Sequence, residues 1–432
     1  MKQLHSFHNL RKFIILWLGQ SVSALGSAMT NYALIIWAYQ QQGTASSIAM
    51  LSVCSYLPSV LFCFLAGTIA DRWDKKKIML ASDFVAACGT AAVFLLYTTG
   101  ALRVWHLYII NSVISLMNAF QNPASYVAVS LIAPKEHYAR VSGMQSFSSA
   151  LVSILTPALA TALLSLTGLR TVFLIDLSSF AFAFLSLLFF IKIPKVQNTA
   201  SPEESFLHRI ASGIRFLRRH NALLSMIFFF AFVNLLASMA GNGILPAMIL
   251  ARTGGDNVTL GIVTSSIGLG TLAGSVVVTL LRPARRKTAV IFWSCAVSFL
   301  LCDIPWALGR GLVVWVAAAF LGNFPLPFLN ANLTTIMRTQ VPIDMQGRVF
   351  AARDTLQYIT IPLGLTLGGL LADRVFEPFM ASGSPLAVFF AQLVGTGYGS
   401  GMAVIFLITG LVGAVASIAA ALDKRYQVLN ER

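Results

Sequence analysis

Charged side chains are scarce. Asp and Glu number 15 and Lys and Arg 30 in 432 residues, so 10% of the chain is charged, against about 25% in an ordinary soluble protein. So little charge cannot keep a chain that is 57% hydrophobic soluble, which excludes a water-soluble fold of two or three domains. A bilayer removes the conflict. Each crossing takes roughly 20 apolar residues as helix, because lipid offers no partner to an exposed backbone amide. Histidine is thin as well: His5, His8, His106, His137, His208 and His220 are scattered over termini and loops. No H-E-x-x-H, G-x-S-x-G or P-loop pattern occurs, which argues against an enzyme and against direct ATP coupling within the chain. The five cysteines (Cys54, Cys63, Cys88, Cys295, Cys302) form no C-x-x-C pair or zinc-like spacing. They read as small buried hydrophobes, and neither a metal nor another cofactor is expected.

What is present is a series of apolar runs broken by charge, Gly or Pro. They predict an all-α membrane protein of about twelve spans: 13–38, 46–70, 78–98, 104–123, 144–166, 170–191, 222–250, 258–281, 288–308, 311–333, 350–372 and 398–422. Arg11-Lys12, an apolar run and Val22-Ser23-Ala24 mimic a secretory signal. The apolar character continues to Tyr39, past the about 7–15 residues of a signal core, so a retained first span is expected. The net charge of +15 is distributed for a membrane, not for nucleic acid. With the N-terminus inside, 25 of the 30 Lys/Arg fall in cytoplasmic segments, leaving Arg103, Arg170, Arg252, Arg310 and Arg374 outside. A miscounted span would invert every later loop and spoil this bias, so both termini are expected in the cytoplasm.

The chain divides into six-span bundles at 1–191 and 222–432, joined by a cytoplasmic linker at 192–221. After the polar Ser201-Pro202-Glu203-Glu204, the residues Phe206, Ile210, Ile214 and Leu217 repeat at helical spacing among arginines. They predict an amphipathic interfacial helix, the alternative being a solvated linker. The halves match each other at an offset of 208: Phe120 with Phe328, Asn122 with Asn330, Pro134 with Pro342, Glu136 with Asp344, Arg140 with Arg348, Val141 with Val349. Both halves run in the same direction, which makes the repeat parallel. Two such halves around a midplane cavity suit alternating access.

The most specific local pattern is Gly67-Thr68-Ile69-Ala70-Asp71-Arg72-Trp73-Asp74-Lys75-Lys76-Lys77, between spans 2 and 3. Gly67 permits close helix approach, and Asp71 at a helix end can accept bonds from a facing helix N-terminus. Arg72, Lys75 and Lys76 hold the turn in the cytosol and can pair with acids, giving a charge latch between access states. A basic stop signal explains the lysines but not Gly67 and Asp71. The pattern resembles the G-x-L-x-D-R-x-G-R-K-x motif of the major facilitator superfamily, with Asp74 where that family usually has Gly. Trp17 to Gln20, Tyr56-Leu57-Pro58, Asn122-Pro123-Ala124, Thr156-Pro157, Gly347-Arg348-Val349-Phe350 and Ala372-Asp373-Arg374 extend the resemblance. They are similar to the macrolide-efflux and enterobactin-exporter-like branch of its drug–proton antiporters. The resemblance implies a bacterial inner-membrane exporter of drug-like, macrolide-like or siderophore-like molecules, working as a monomer by proton antiport. Its partners would be a small-molecule substrate, protons and the bilayer. Two departures stand against antiport. No Lys or Arg lies between Arg103 and Lys135, and the span 5 motif survives only as Gly143, Pro157 and small neighbours. Proton-coupled uptake and a membrane sensor or scaffold without transport remain the alternatives.

Acidic residues inside spans are costly and therefore functional suspects. Asp83, Asp176, Asp303 and Asp354 qualify, each nearer a span end than its middle. Asp176 and Asp83 are the proton-coupling candidates. Against that, Asp176 could serve only to bond a neighbouring span, Asp83 could neutralise the basic loop, and Asp354 could pair with Arg353. Spans 1, 4, 7 and 10 should line the cavity, as in the resembled family. They offer Gln20, Asn31, Tyr32, Asn111, Asn118, Asn234, Asn242, Asn323 and Asn330, although an Asn in a span equally suits a bond to a neighbouring helix. Uncharged lining suits bulky amphipathic or neutral cargo. Gly270-x-x-x-Gly274 and Gly364-x-x-x-Gly368 predict close helix contacts.

Overall fold

The structure, a computed structural model, describes residues 2–132, 138–191, 193, 215–281 and 284–430. The side chains of 2–10, 63–72 and 343–348, with a few others, lie outside this description. The helices of the first half are α1 (Lys2–Gln42), α2 (Ala45–Arg72), α3 (Lys75–Thr98), α4 (Val104–Ile132), α5 (Tyr138–Leu166) and α6 (Leu169–Phe190). Those of the second are α7 (Asn221–Ala237), α8 (Leu245–Arg252), α9 (Asn257–Leu280), α10 (Lys287–Leu308), α11 (Leu312–Asn323) and α12 (Leu326–Gln340). They continue through α13 (Ile343–Tyr358), α14 (Thr360–Leu371), α15 (Glu377–Ala381), α16 (Pro385–Val394) and α17 (Ser400–Leu422). No strand occurs among the described residues.

Among the described residues, eleven segments are long and apolar enough to cross a membrane. The twelfth expected span is α4. Its 29 residues reach about 43 Å as helix, but Asn111, Asn118, Gln121 and Asn122 dilute its apolar character. Large side chains such as Phe189, Leu280, Val313 and Leu422 stand exposed on the helices, a surface suited to lipid and not to water. Cys54, Cys295 and Cys302 are buried as expected, whereas Cys88 is exposed.

Several spans are less regular than their apolar runs suggest. The seventh is α7 continued by a π-turn at Ser238–Asn242 and then α8. The tenth is interrupted between Asn323 and Leu326, where Pro325 and then Pro327 restart the helix as α12. The eleventh passes from α13 through α14 into a π-turn at Ala372–Phe376. The expected outer segment before the last span holds the ten-residue apolar α16. The predicted amphipathic linker helix falls mostly on 194–214, outside the described residues; 215–219 is helical and Leu217 is buried.

The halves echo each other in their helix bounds: α4 is Val104–Ile132 and the α11–α12 pair spans Leu312–Gln340, the same offset of 208 at both ends. By internal packing the chain forms two compact units, residues 1–41 with 53–202 and residues 42–52 with 203–432. In the first, Phe13, Leu16, Met79, Leu187 and Ile191 make an apolar plug at the end where α3 begins. In the second, Met226, Phe230, Ile291, Phe292 and Leu329 belong to a larger apolar core. The predicted small-residue contacts form there. A side chain on Gly270 or Gly274 would strike the backbone of Phe320 or Phe324, and one on Gly364 or Gly368 the carbonyls of Leu235 or Met239.

Candidate functional site

Two cavities open within the first unit. One, of about 340 Å³, is lined from α1, α2, α3, α4 and α6; the other, of about 310 Å³, from α1, α3, α4 and α6. They share Ser27, Thr90, Asn118 and Asp176. The second adds Gln20, Asp83 and Gln121.

Small residues on α1 build the site. Gly19 and Gly26 lie seven residues apart, two helical turns. A side chain at Gly19 would strike Ser186 Oγ, and one at Gly26 would strike Ser179 Oγ. Their absence lets α6 lie close against α1, with Asp176 beside Ser27. Ser27 Oγ donates to Asp176 Oδ1 at 2.9 Å and Thr90 Oγ1 to Oδ2 at 3.3 Å. One carboxylate therefore gathers α1, α3 and α6.

Asp83 repeats the arrangement two turns away along α1. Gln20 Nε2 donates to Asp83 Oδ2 at 3.2 Å, and Gln121 Nε2 donates to Oδ1. Gln20 and Ser27 are seven residues apart, so the two carboxylates are held at levels about 10 Å apart along α1. Asp83 is 8% exposed and Asp176 2%; carboxylates this deep need hydrogen-bond partners. Both have them in uncharged groups. Among the described residues the ion pairs are Arg353–Asp354 at 2.7 Å and Arg425–Asp423 at 2.8 Å. Thus Asp354 pairs with its neighbour, while Asp83 bonds to two glutamines and not to the basic loop.

The same network is missing from the second unit's sequence. At the offset of 208, Asp83 and Gln121 fall on Ile291 and Leu329, both buried in the apolar core. Asp303, the other buried acid, receives a bond from Thr409 at 3.2 Å in that unit.

The remaining cavity candidates divide. Asn31, Asn111 and Asn118 line the first cavity, with Tyr32 next to Asn31 on α1; the buried Nδ2 of Asn111 has no hydrogen-bond partner among the described residues. Asn234 Nδ2 donates to the Gln357 carbonyl of α13 at 3.4 Å, a contact between helices, whereas Asn323 Nδ2 donates to Ala319 of its own helix at 2.8 Å and lies 3.9 Å from Cys302 Sγ of α10. Asn330 is exposed. Asn242 lies in the π-turn, its side chain outside the described residues. Gln121, Ser27 and Thr90 are site residues absent from the expected set. Gln121 is marked by the repeat itself, as a polar residue whose counterpart is an apolar Leu329.

In the basic motif, the side chains of Gly67, Asp71 and Arg72 lie outside the described residues. Asp74, the departure from glycine, is the N-cap of α3 and accepts from the Lys76 amide at 2.9 Å. Lys75 is buried. Lys76 Nζ reaches the carbonyls of Leu188 at 2.9 Å and Ile191 at 2.8 Å, not an acid. The end of α6 exposes unpaired carbonyls that attract a cation, which explains that choice.

Residues 5–398 match the model of a family described as transmembrane secretion effector. The chain is 25% identical over 366 residues to macrolide efflux protein A of Streptococcus pyogenes, covering 84% of this chain and 90% of that one. It is 24% identical over 388 residues to the multidrug efflux pump Tap of Mycolicibacterium fortuitum, covering 84% and 90%. Among solved structures, the nucleoside transporter NupG superposes with a TM-score of 0.67 at 14% identity, covering 95% of this chain and all of that one. A bacterial homologue of the human lysosomal transporter Spinster superposes with a TM-score of 0.63 at 16% identity, covering 96% of each.

Proposed function

Because the chain belongs to the transmembrane secretion effector family of the major facilitator superfamily, and is thus a multi-pass membrane transporter, we propose that it exports amphipathic organic molecules of the macrolide or multidrug type in exchange for protons. The efflux of macrolides and of several drugs by the two relatives' names supports the cargo and direction. The observation that carries proton exchange is the pair of carboxylates, Asp83 and Asp176, lining one cavity with only hydroxyl and amide partners.

A carboxylate in a poorly polarisable site gains from being neutral, so it can take up a proton when its cavity faces one side and lose it when conditions change. Neutral partners suit that use, since a fixed cation would hold the acid ionised. Ser27 and Thr90 can bond to either form of Asp176 by turning their hydroxyls. The lining of Asn31, Asn111 and Asn118 adds donors and acceptors without charge, which fits bulky neutral cargo. In this reading the chain sits in the bacterial inner membrane as a monomer with both termini in the cytoplasm, an orientation that its Lys/Arg distribution supports.

The test is reconstitution of the full chain in proteoliposomes with a pH-sensitive dye. Adding a macrolide should drive proton movement opposite to the macrolide. Movement in the same direction would make the chain an uptake symporter, and no coupled movement for any cargo would leave a sensor or scaffold. A resistance profile in a strain deprived of its own pumps selects the cargo.

A further inference from the structure

The pattern Gly-x-x-Ala-Asp-Arg occurs twice. Gly67-Thr68-Ile69-Ala70-Asp71-Arg72 ends α2, and Gly369-Leu370-Leu371-Ala372-Asp373-Arg374 runs from the end of α14 into the π-turn. Four positions are identical, and Gly and Asp keep their spacing. The duplication of the halves does not relate them, since they lie 302 residues apart and not 208.

In the second copy the contacts of the carboxylate are described. Asp373 Oδ1 accepts from the Ala45 amide at 3.1 Å, and Oδ2 from the Ser46 amide at 2.7 Å. These are the first two residues of α2, whose opening amides have no partner within the helix. The carboxylate also meets the positive end of the helix dipole. Gly369 is used as well. Ser46 Oγ donates to its carbonyl at 3.1 Å, and a Cβ on it would come within 2.7 Å of Ala49 Cβ. Tyr398 Oη completes the seat, donating to the Gly43 carbonyl at 2.6 Å.

The same turn holds a second carboxylate with a different kind of partner. Glu377 Oε1 accepts from the amides of Gly399 at 3.0 Å and Met402 at 3.1 Å, at the start of α17. Gly399 can present its amide there because it adopts φ 92, a conformation that suits glycine alone. All of α17 belongs to the second unit. α2 does not: residues 42–52 are packed in the second unit, and from Val53 the helix belongs to the first. Glu377 therefore caps a helix of its own unit, and Asp373 caps a helix whose residues are divided between the two units.

We propose that Asp373 is a positioning residue of the transport cycle, a carboxylate latch that holds the first turn of α2 on the second unit in one access state and releases it in the other. The proposal rests on the reading of the chain as an alternating-access transporter. Once released, the amides of Ala45 and Ser46 are satisfied by water, so the latch can open without leaving a buried donor unpaired.

The test uses the full chain without its native cysteines and with Ser47→Cys, a near-isosteric probe at a buried position of the seated turn. Maleimide modification of this cysteine is measured in proteoliposomes without substrate. Asp373→Asn leaves one acceptor oxygen for two amides and removes the charge that faces the helix dipole, so it should raise the rate about fivefold and slow coupled turnover; Asp373→Glu should restore part of both. Tyr398→Phe, which removes one hydroxyl, should raise the rate about twofold and serves if Asp373→Asn does not insert. Glu377→Gln should lower the melting temperature while leaving the labelling rate unchanged. Wild-type labelling in Asp373→Asn and Tyr398→Phe would overturn the latch, as would an equal rise in Glu377→Gln. A labelling shift with no transport of any cargo would instead overturn the transporter reading alone.

Discussion

Asp176 and Gln121 separate two roles that a buried polar network can have. Asp176→Asn keeps the shape and the bonding capacity toward Ser27 and Thr90 but cannot carry a proton. We expect it to abolish efflux driven by a pH gradient while substrate exchange without a gradient persists. Gradient-driven efflux at the wild-type rate would make Asp176 structural. Gln121→Leu copies the residue found at the same place in the second half, Leu329. It leaves Asp83 with Gln20 as its remaining amide donor, and the loss of a bond to a buried acid should lower stability by about 1–3 kcal/mol. Thermal unfolding in detergent reads that value. The rule that acids are costly within spans picked out both Asp83 and Asp176 from the chain alone. It could not pick out Ser27 or Thr90, because hydroxyl residues are common in spans and only the packing of α6 against α1 and α3 gives these two a partner.

At the scale of the helix, close approach and capping make the firmest expectations. Gly270→Val places branched carbons against the Phe320 backbone, and overpacking of this kind costs about 1–3 kcal/mol. The melting temperature of the purified protein should fall, while Gly255→Val, with open space around it but φ 90, tests backbone strain instead. Asp74→Ala removes the N-cap of α3 and should cost about 1 kcal/mol. Its family-typical substitute, Asp74→Gly, should cost only a few tenths, because glycine tolerates the cap conformation. Helix positions were legible because charge and glycine interrupt the apolar runs; the irregularities within them were less so. A π-turn leaves no simple composition signal, and α16 is an apolar run too short to be told from a loop by hydropathy. Pro325 was the visible warning that span 10 would break, since proline cannot donate within a helix.

For the whole molecule, the arrangement of spans predicts which loops a reagent can reach. In a chain without native cysteines, single cysteines at Arg103 and Arg310 should label from outside intact cells. Those at Lys76 and Arg286 should be protected until the membrane is opened. Outside labelling at Lys76 would overturn the orientation that the Lys/Arg distribution supports. The two-fold repeat was readable from six paired residues, and the helix bounds of α4 and α11–α12 carry the same offset. What the repeat conceals is chemical inequality, because the informative positions are those where the halves differ. The apolar Ile291 and Leu329 stand where the first half has Asp83 and Gln121. A membrane that stores a proton gradient is discharged by any continuous thread of hydroxyls, amides and acids from face to face. With the paired carboxylates Asp83 and Asp176 in the first half, and apolar Ile291 and Leu329 at the places of Asp83 and Gln121 in the second, the proposed exchanger concentrates its proton path in one half and has one main route to guard against leak.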